Sequence, residues 1–305
     1  MIYVDRILFP TDGSDCAERA RRHALYLVDH FDASLHVIHV EEREVELTDV
    51  VKISEADLLA DLHDMMGDRS PLAEARVQEH TVAYPSAAGG ILTYGVEHDV
   101  DLMVLGTHGK RGVRRLMLGS VAEEVVRNAS CPVVTVGRGA IPPEGMEGGT
   151  MLVPVDFSEH QGRLLEHVRE LAPVYDMDVT VLHVVEMEGV PDAYGVYSSL
   201  PDPGKLGARA EEALDEEMES LRADGINVSV AVKSGHPGDQ ILTYAEENDA
   251  AFITIATHGR TGLERMLMGS VAEKVIRRAP CPVCTVKSFG QSIVKRNGAE
   301  ERHSS

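Results

Sequence analysis

The chain has 305 residues, 43% of them hydrophobic, and 50 Asp and Glu against 29 Lys and Arg give a net charge of −21. That length fits two domains of about 140–150 residues, and so acidic a surface argues against nucleic acid and anionic membranes as partners. No apolar run approaches the roughly 20 residues that span a bilayer, and the opening MIYVDRILFP lacks a basic export region, so a cytoplasmic location is expected.

The first half opens with an apolar strand, YVDRILFP, that stops at Pro10-Thr11-Asp12-Gly13. Ser14 or Asp15 can cap the helix that follows, where Ala20, Ala24, Leu27 and Val28 fall at helical spacing. Then come the strand SLHVIHV, a helical stretch around 55–75, a short strand near 76–83, a helix from about 87 to 97 and the strand DLMVLG. A glycine-rich segment, a helix at 119–129 and the strand PVVTV complete the unit. The second half repeats the order with MLVPVDFS, a helix, DVTVLHVV, a helix at about 207–223, INVSVAV, a helix from Pro237, AFITIA, the glycine segment and PVCTV. Strands alternating with helices predict α/β units with parallel pairing and right-handed crossovers. Each unit is therefore read as a five-stranded parallel-sheet sandwich. The segment GRGAIPPEGMEGG has linker composition, which sets domains of 1–140 and 149–288, and the tail 289–305 is expected to be disordered.

The halves are copies of one another. Residues 106–136 and 256–286 align without gaps and are identical at 18 of 31 positions. A period near 150 residues is too long for a solenoid unit and marks a duplicated domain. The copies differ mainly after their second strand, where EMEGVPDAYGVYSSLPDPG is either a lid or a spacer.

Cys281 and Cys284 form a C-x-x-C, but Pro282 lies between them and strand alternation sends the thiols to opposite faces, so buried small hydrophobes are expected rather than a metal or redox pair. The basic residues are 22 Arg and only 7 Lys. An acidic, lysine-poor surface suits a cytoplasm of very high salt and points to a halophilic source. An ordinary acidic mesophile protein is the alternative, and unfolding in low salt separates the two.

The chemistry is expected at Gly106-x-x-Gly109, nine residues, then Gly119-Ser120. Gly106 ends a buried parallel strand at the carboxyl edge of the sheet, where open α/β sheets hold ligands. Glycine at 106 and 109 permits positive φ and a close approach of backbone to an anion. The helix begun by Gly119 and Ser120 offers free N–H groups and a positive dipole end to phosphate. Asp12 ends a neighbouring strand and could accept from a ribose or adenine, help hold a metal, or cap a helix. His108 and His258, in T-H-G, read as turn-stabilising or as proton carriers. Lys110, Arg111, Arg114 and Arg115 steer a polyphosphate or form a solvated face, and Thr261 and Glu264 replace two of them in the second half. No P-loop or Ser/His/Asp arrangement appears.

P-T-D after the first strand, G-x2-G-x9-G-S after the fourth and the closing C-P-V-x-x-V resemble the universal stress protein family, over residues 1–137 and 149–287. The resemblance implies a Rossmann-like, adenine nucleotide alpha hydrolase-like sheet of order 3-2-1-4-5 in each half. It also implies dimerisation through strand five, which here would join the two copies internally, with a homodimer of two chains beyond that. A stress-response regulator binding ATP or another adenine nucleotide, with Mg or Mn, is the implied function. The matching positions in the first half are Asp12, Val40, Gly106, Gly109, Gly119, Ser120 and Val121. Those in the second are Asp156, Val184, Gly259, Gly269, Ser270 and Val271. Ala256 stands where the first half has Gly106, so the first site is expected to be the tighter. The rivals are a scaffold that binds no nucleotide and a slow ATPase.

Overall fold

The computed structural model describes residues 4–43, 52–53, 76–109, 118–158, 161–186, 203–257 and 268–287. The readings placed on residues 55–75, 110–115, 187–202, His258, Gly259, Thr261, Glu264 and the tail lie outside them.

In the first half the elements are β1 (Arg6–Pro10), α1 (Asp15–Phe31), β2 (Ser34–Glu42), β3 (Lys52–Ile53), β4 (Val77–Tyr84), α2 (Ala87–Glu97), β5 (Leu102–Gly106), α3 (Ser120–Asn128) and β6 (Val133–Val136). A 3₁₀ turn at Pro143–Gly145 leads to β7 (Thr150–Val155), α4 (Gln161–Val174), β8 (Asp178–Val185), α5 (Pro203–Glu217), α6 (Glu219–Ala223), β9 (Val228–Ser234), α7 (Pro237–Glu247), β10 (Phe252–Ala256), α8 (Ser270–Arg278) and β11 (Val283–Val286). Among the described residues eleven strands form one sheet in the order β3-β4-β2-β1-β5-β6-β11-β10-β7-β8-β9. Leaving out β3, each half shows the expected order 3-2-1-4-5. The short β3 pairs antiparallel to β4 at the rim and was not foreseen.

The helices start where the chain offers caps. Ser14 accepts a hydrogen bond from Ala17 N at 3.3 Å, and Asp15 and Glu18 sit in the positive first turn of α1. Ser86 does the same for α2 through Gly89 N at 3.1 Å. Asp32 closes α1 in the left-handed region at φ 58. Between these ends, Ala17, Ala20, Ala24, Leu27 and Val28 turn one buried face toward the sheet.

The halves meet at β6 and β11, which pair antiparallel with Cys284 opposite Val134. This ladder makes the two sheets continuous. It also uses the fifth-strand edge of both copies, since β6 is held by β5 on its other side and β11 by β10. The expected strand-five pairing thus joins the two copies within one chain, and because both fifth-strand edges are hydrogen-bonded there, a homodimer of two chains through strand five is not open to it. Behind the sheet Tyr26 of α1 stacks on Tyr175 at 5.2 Å and donates to Val174 O at 2.9 Å, so the cores of the two halves merge.

The glycine- and proline-rich connection is not a loose tether. Met146 is fully buried, and His23 Nε2 donates to Ile141 O at 3.1 Å, tying the segment down onto α1.

Candidate functional site

The carboxyl ends of β1 and β5 lie side by side in the first half, as the strand order requires. At the end of β1, Thr11 N donates to Ile38 O at 2.9 Å, and Thr11 O accepts from His39 Nδ1 at 2.9 Å. The chain then turns sharply. Ser14 N donates to Asp12 Oδ1 at 3.0 Å, and Gly13 takes φ 68. Ser14 Oγ bonds His108 O at 3.2 Å, which ties the β1 turn to the segment leaving β5. His108 Nδ1 lies 2.9 Å from Thr107 Oγ1, the turn-stabilising arrangement.

Three glycines of the motif act through missing side chains, not through backbone handedness. Gly106, Gly109 and Gly119 all avoid positive φ, which corrects the expectation for 106 and 109. A Cβ on Gly109 would come within 2.5 Å of Asp12 Oδ2, so glycine there gives the carboxylate its place at the edge. A Cβ on Gly106 would meet Cys16 C at 2.8 Å and Ala17 N at 2.9 Å, the backbone of α1 itself. Gly119 N donates to Thr107 O at 2.8 Å, with that oxygen 3.1 Å from where a Cβ would stand.

Gly119 is the N-cap of α3 at φ −62 and ψ 143, and no side chain caps that end. Ser120 is exposed there and Val121 half-buried. Helix ends leave their first N–H groups without intrahelical partners, and α3 presents these at the same edge as Asp12. Val40 supplies an apolar wall, packed so closely that a Cβ on Gly90 would lie 2.8 Å from its Cγ1.

The second half repeats much of this. Ser158 N donates to Asp156 Oδ1 at 3.1 Å, and His183 Nδ1 donates to Val155 O at 2.9 Å. Gly269 has φ −62 and ψ 144, heads α8 without a side-chain cap, and donates to Thr257 O at 2.8 Å. Ser270 is exposed, Val271 half-buried and Val184 buried. The departure falls at Phe157, which takes the left-handed turn position of Gly13 at φ 57. Its ring lies edge-on to His183 at 4.6 Å. An L residue there carries about 1–2 kcal/mol of backbone cost. The cost expected at Ala256 is thereby moved: Ala256 has no positive φ, and Phe157 does.

His39 and His183, and Thr107 and Thr257, were missed as site-shaping residues. The duplication could have found them, because each pair recurs at the spacing of its surrounding repeat. Cys131, Cys281 and Cys284 are all buried, and burial pushes each thiol up to about 12. Among the described residues no cluster of His, Cys, Asp or Glu suits a metal ion, and no helix is long and apolar enough to cross a membrane.

The family model for the universal stress protein family matches residues 4–137 and again 149–287. A universal stress protein of Methanocaldococcus jannaschii is 33% identical over 140 residues, spanning 45% of this chain and 81% of the relative. One from Mycobacterium tuberculosis is 28% identical over 199 residues, 63% of each chain. Among solved structures, a putative universal stress protein of Pseudomonas aeruginosa superposes with a TM-score of 0.68 at 19% identity, covering 93% of both chains. One from Archaeoglobus fulgidus gives 0.63 at 23% identity, covering 93% of this chain and 99% of that one. With both halves matched, the chain belongs to the universal stress protein family and carries its domain twice.

Proposed function

We propose that the chain is a stress-response regulator that binds an adenine nucleotide, ATP above all, at the carboxyl edge of each of its two domains, 1–140 and 149–288. The observation that carries this reading is the pair of bare helix ends. Ser14 and Ser86 cap α1 and α2 with their own hydroxyls; α6 and α7 also lack a side-chain cap, but α3 and α8 begin at glycines, at equivalent places in the two halves, with no side chain on their first N–H groups. Each bare end follows a strand hydrogen-bonded to the one that ends in Asp12 or Asp156, so the carboxyl edge offers an anion-binding terminus and an acceptor for ribose or adenine hydroxyl and amino groups. A divalent cation, Mg or Mn, would arrive with the phosphates and find Asp12 or Asp156 close by.

The first site ranks as the tighter because Gly13 leaves its edge open, whereas Phe157 places a ring on His183 at the equivalent corner.

Calorimetric titration of ATP with Mg into the intact chain, and into Gly109→Val and Phe157→Gly variants, tests the reading. Two binding events are expected. The tighter is lost in Gly109→Val, whose side chain displaces the Asp12 carboxylate, and the weaker tightens in Phe157→Gly. Absence of binding heat at millimolar ATP in the intact chain would leave the scaffold as the better account.

A further inference from the structure

The junction of the two halves has a local two-fold axis. In the β6–β11 ladder Thr135 pairs with Val283, Val134 with Cys284 and Val133 with Thr285, and equivalent repeat positions differ by 150, so the axis passes between Val134 and Cys284. Side chains obey it: Thr135 Oγ1 donates to Val283 O at 3.2 Å and Thr285 Oγ1 to Val133 O at 3.1 Å. Arg127 bonds Glu123 at 2.8 Å, and Arg277 bonds Glu273 at 2.6 Å.

Lys287 breaks the symmetry. Lys287, just past β11, is 1% exposed and runs across the junction to the end of α3, where its Nζ donates to Val126 O at 2.6 Å and Arg127 O at 2.7 Å. The axis maps Lys287 onto Gly137, and those two acceptors onto Ile276 O and Arg277 O at the end of α8. Glycine sends nothing across: a Cβ there would meet only Thr107 Oγ1, at 3.8 Å. The space that a lysine would fill is instead a cavity of about 140 Å³ bounded by Gly137, Ile276, Thr107 and His108 and by three arginines, Arg138, Arg277 and Arg278. A water needs only about 10–15 Å³ of such volume, so the cavity admits a larger guest.

We propose that this cavity binds a small primary alkylammonium ion, whose head group donates to the Ile276 and Arg277 carbonyl oxygens as Lys287 Nζ does to their counterparts. Helix C-termini leave carbonyls unpaired and carry the negative end of the dipole, which suits a cation. The nearby arginines do not forbid it. Arg277 is turned onto Glu273 and, at 3.7 Å, Glu123, Arg278 lies 3.9 Å from Asp239, and Arg138 is exposed to solvent. On the other side of the axis Lys287 Nζ bonds the backbone carbonyl of Arg127, whose own guanidinium is turned onto Glu123.

The test compares thermal unfolding of the intact chain, Gly137→Lys and Lys287→Ala in n-butylammonium chloride and in sodium chloride at equal ionic strength. Butylammonium is expected to raise the melting temperature of the intact chain by about 2 °C relative to its effect on Gly137→Lys, the shift expected for somewhat under 1 kcal/mol in a chain of this size. Gly137→Lys, with its cavity filled from within, melts above the intact chain without amine. Lys287→Ala melts lower and recovers part of the loss with butylammonium, since it holds two cavities. Equal response of the intact chain and Gly137→Lys overturns the proposal. So does stabilisation of the intact chain by sodium phosphate but not by butylammonium, which would assign the cavity to anions through its arginines. If Lys287→Ala does not fold, the other two chains still decide.

Discussion

Replacing Gly106 by alanine makes the first half like the second at this position, and the structure says the change costs stability for reasons unrelated to nucleotide. The new Cβ would stand 2.8 Å from Cys16 C, 2.9 Å from Ala17 N and 3.0 Å from Cys16 Cβ. Two of these atoms are backbone in the first turn of α1, so no rotamer change relieves the contact. Ordinary separation begins near 3.4 Å, and α1 must lift from β5 by about 0.6 Å. A radial gap of about 0.5–1 Å forfeits a quarter to a half of each dispersion well, and overpacking a close-fitted core costs about 1–3 kcal/mol. The face that lifts carries Ala17, Ala20 and Ala24, all buried. Gly106→Ala is therefore expected to cost about 2 kcal/mol and lower the melting temperature by about 4–8 °C, followed by circular dichroism. The reverse change, Ala256→Gly, removes only a half-buried methyl and is expected to cost about 1 kcal/mol. A Gly106→Ala chain melting within 1 °C of the parent would refute the argument, because it would mean that α1 does not press on β5.

Two further outcomes follow from buried groups. His23 and His167 are buried neutral, and burial holds each down at about 4, against 6.5 when exposed. Between those values the unfolded chain binds protons that the folded chain refuses. Stability is therefore full above pH 6.5 and falls toward pH 4, by up to about 3 kcal/mol for each histidine. Urea midpoints at pH 7 and pH 4.5 read this directly, and an unchanged midpoint contradicts it. Cys131, Cys281 and Cys284, with thiols pushed up to about 12, are expected to resist a disulfide reagent at pH 8 until urea is added. Rapid labelling of any of the three in the native chain would count against the buried strand ends described above.

The sheet order was legible because βα alternation and right-handed crossovers leave few topologies, and the duplication doubled the signal. The β6–β11 junction was legible too, as the internal form of a fifth-strand pairing. What escaped were consequences of distance. Asp12 and Gly109 are 97 residues apart, and nothing along the chain reveals that a Cβ on one would strike the carboxylate of the other. Gly106 and Gly109 read as permitting positive φ or a close backbone approach, yet the left-handed turn is at Gly13, in the D-G pair before α1. Its counterpart Phe157 gave no warning, since a bulky residue is a poor guess for that region. The segment read as a linker has linker composition, but Met146 and Pro143 are buried, and composition does not show packing against α1.

These observations assign the differences between the halves to separate causes. At the junction the repeat keeps Thr135 with Thr285, Glu123 with Glu273 and Arg127 with Arg277, because each residue must serve a symmetric contact. Against the helices the halves diverge as compensating sets. Ala20, Ala24 and Gly106 let α1 lie close on β5, and their counterparts Leu164, Val168 and Ala256 are each larger, filling the space below α4 with side chain instead. Cores tolerate such exchanges when volume and pattern are kept together. Ala256 is then a packing residue, and the larger residues that accompany it remove any reason to count it against the second site. Among the described residues of the two carboxyl edges, the difference lies at the turn after strand one, where Gly13 adopts a left-handed φ at no cost and Phe157 takes it with its ring on His183. On the proposed nucleotide reading, any difference in affinity between the halves is expected to turn on Phe157, which among the described residues of that edge carries both backbone strain and an added ring.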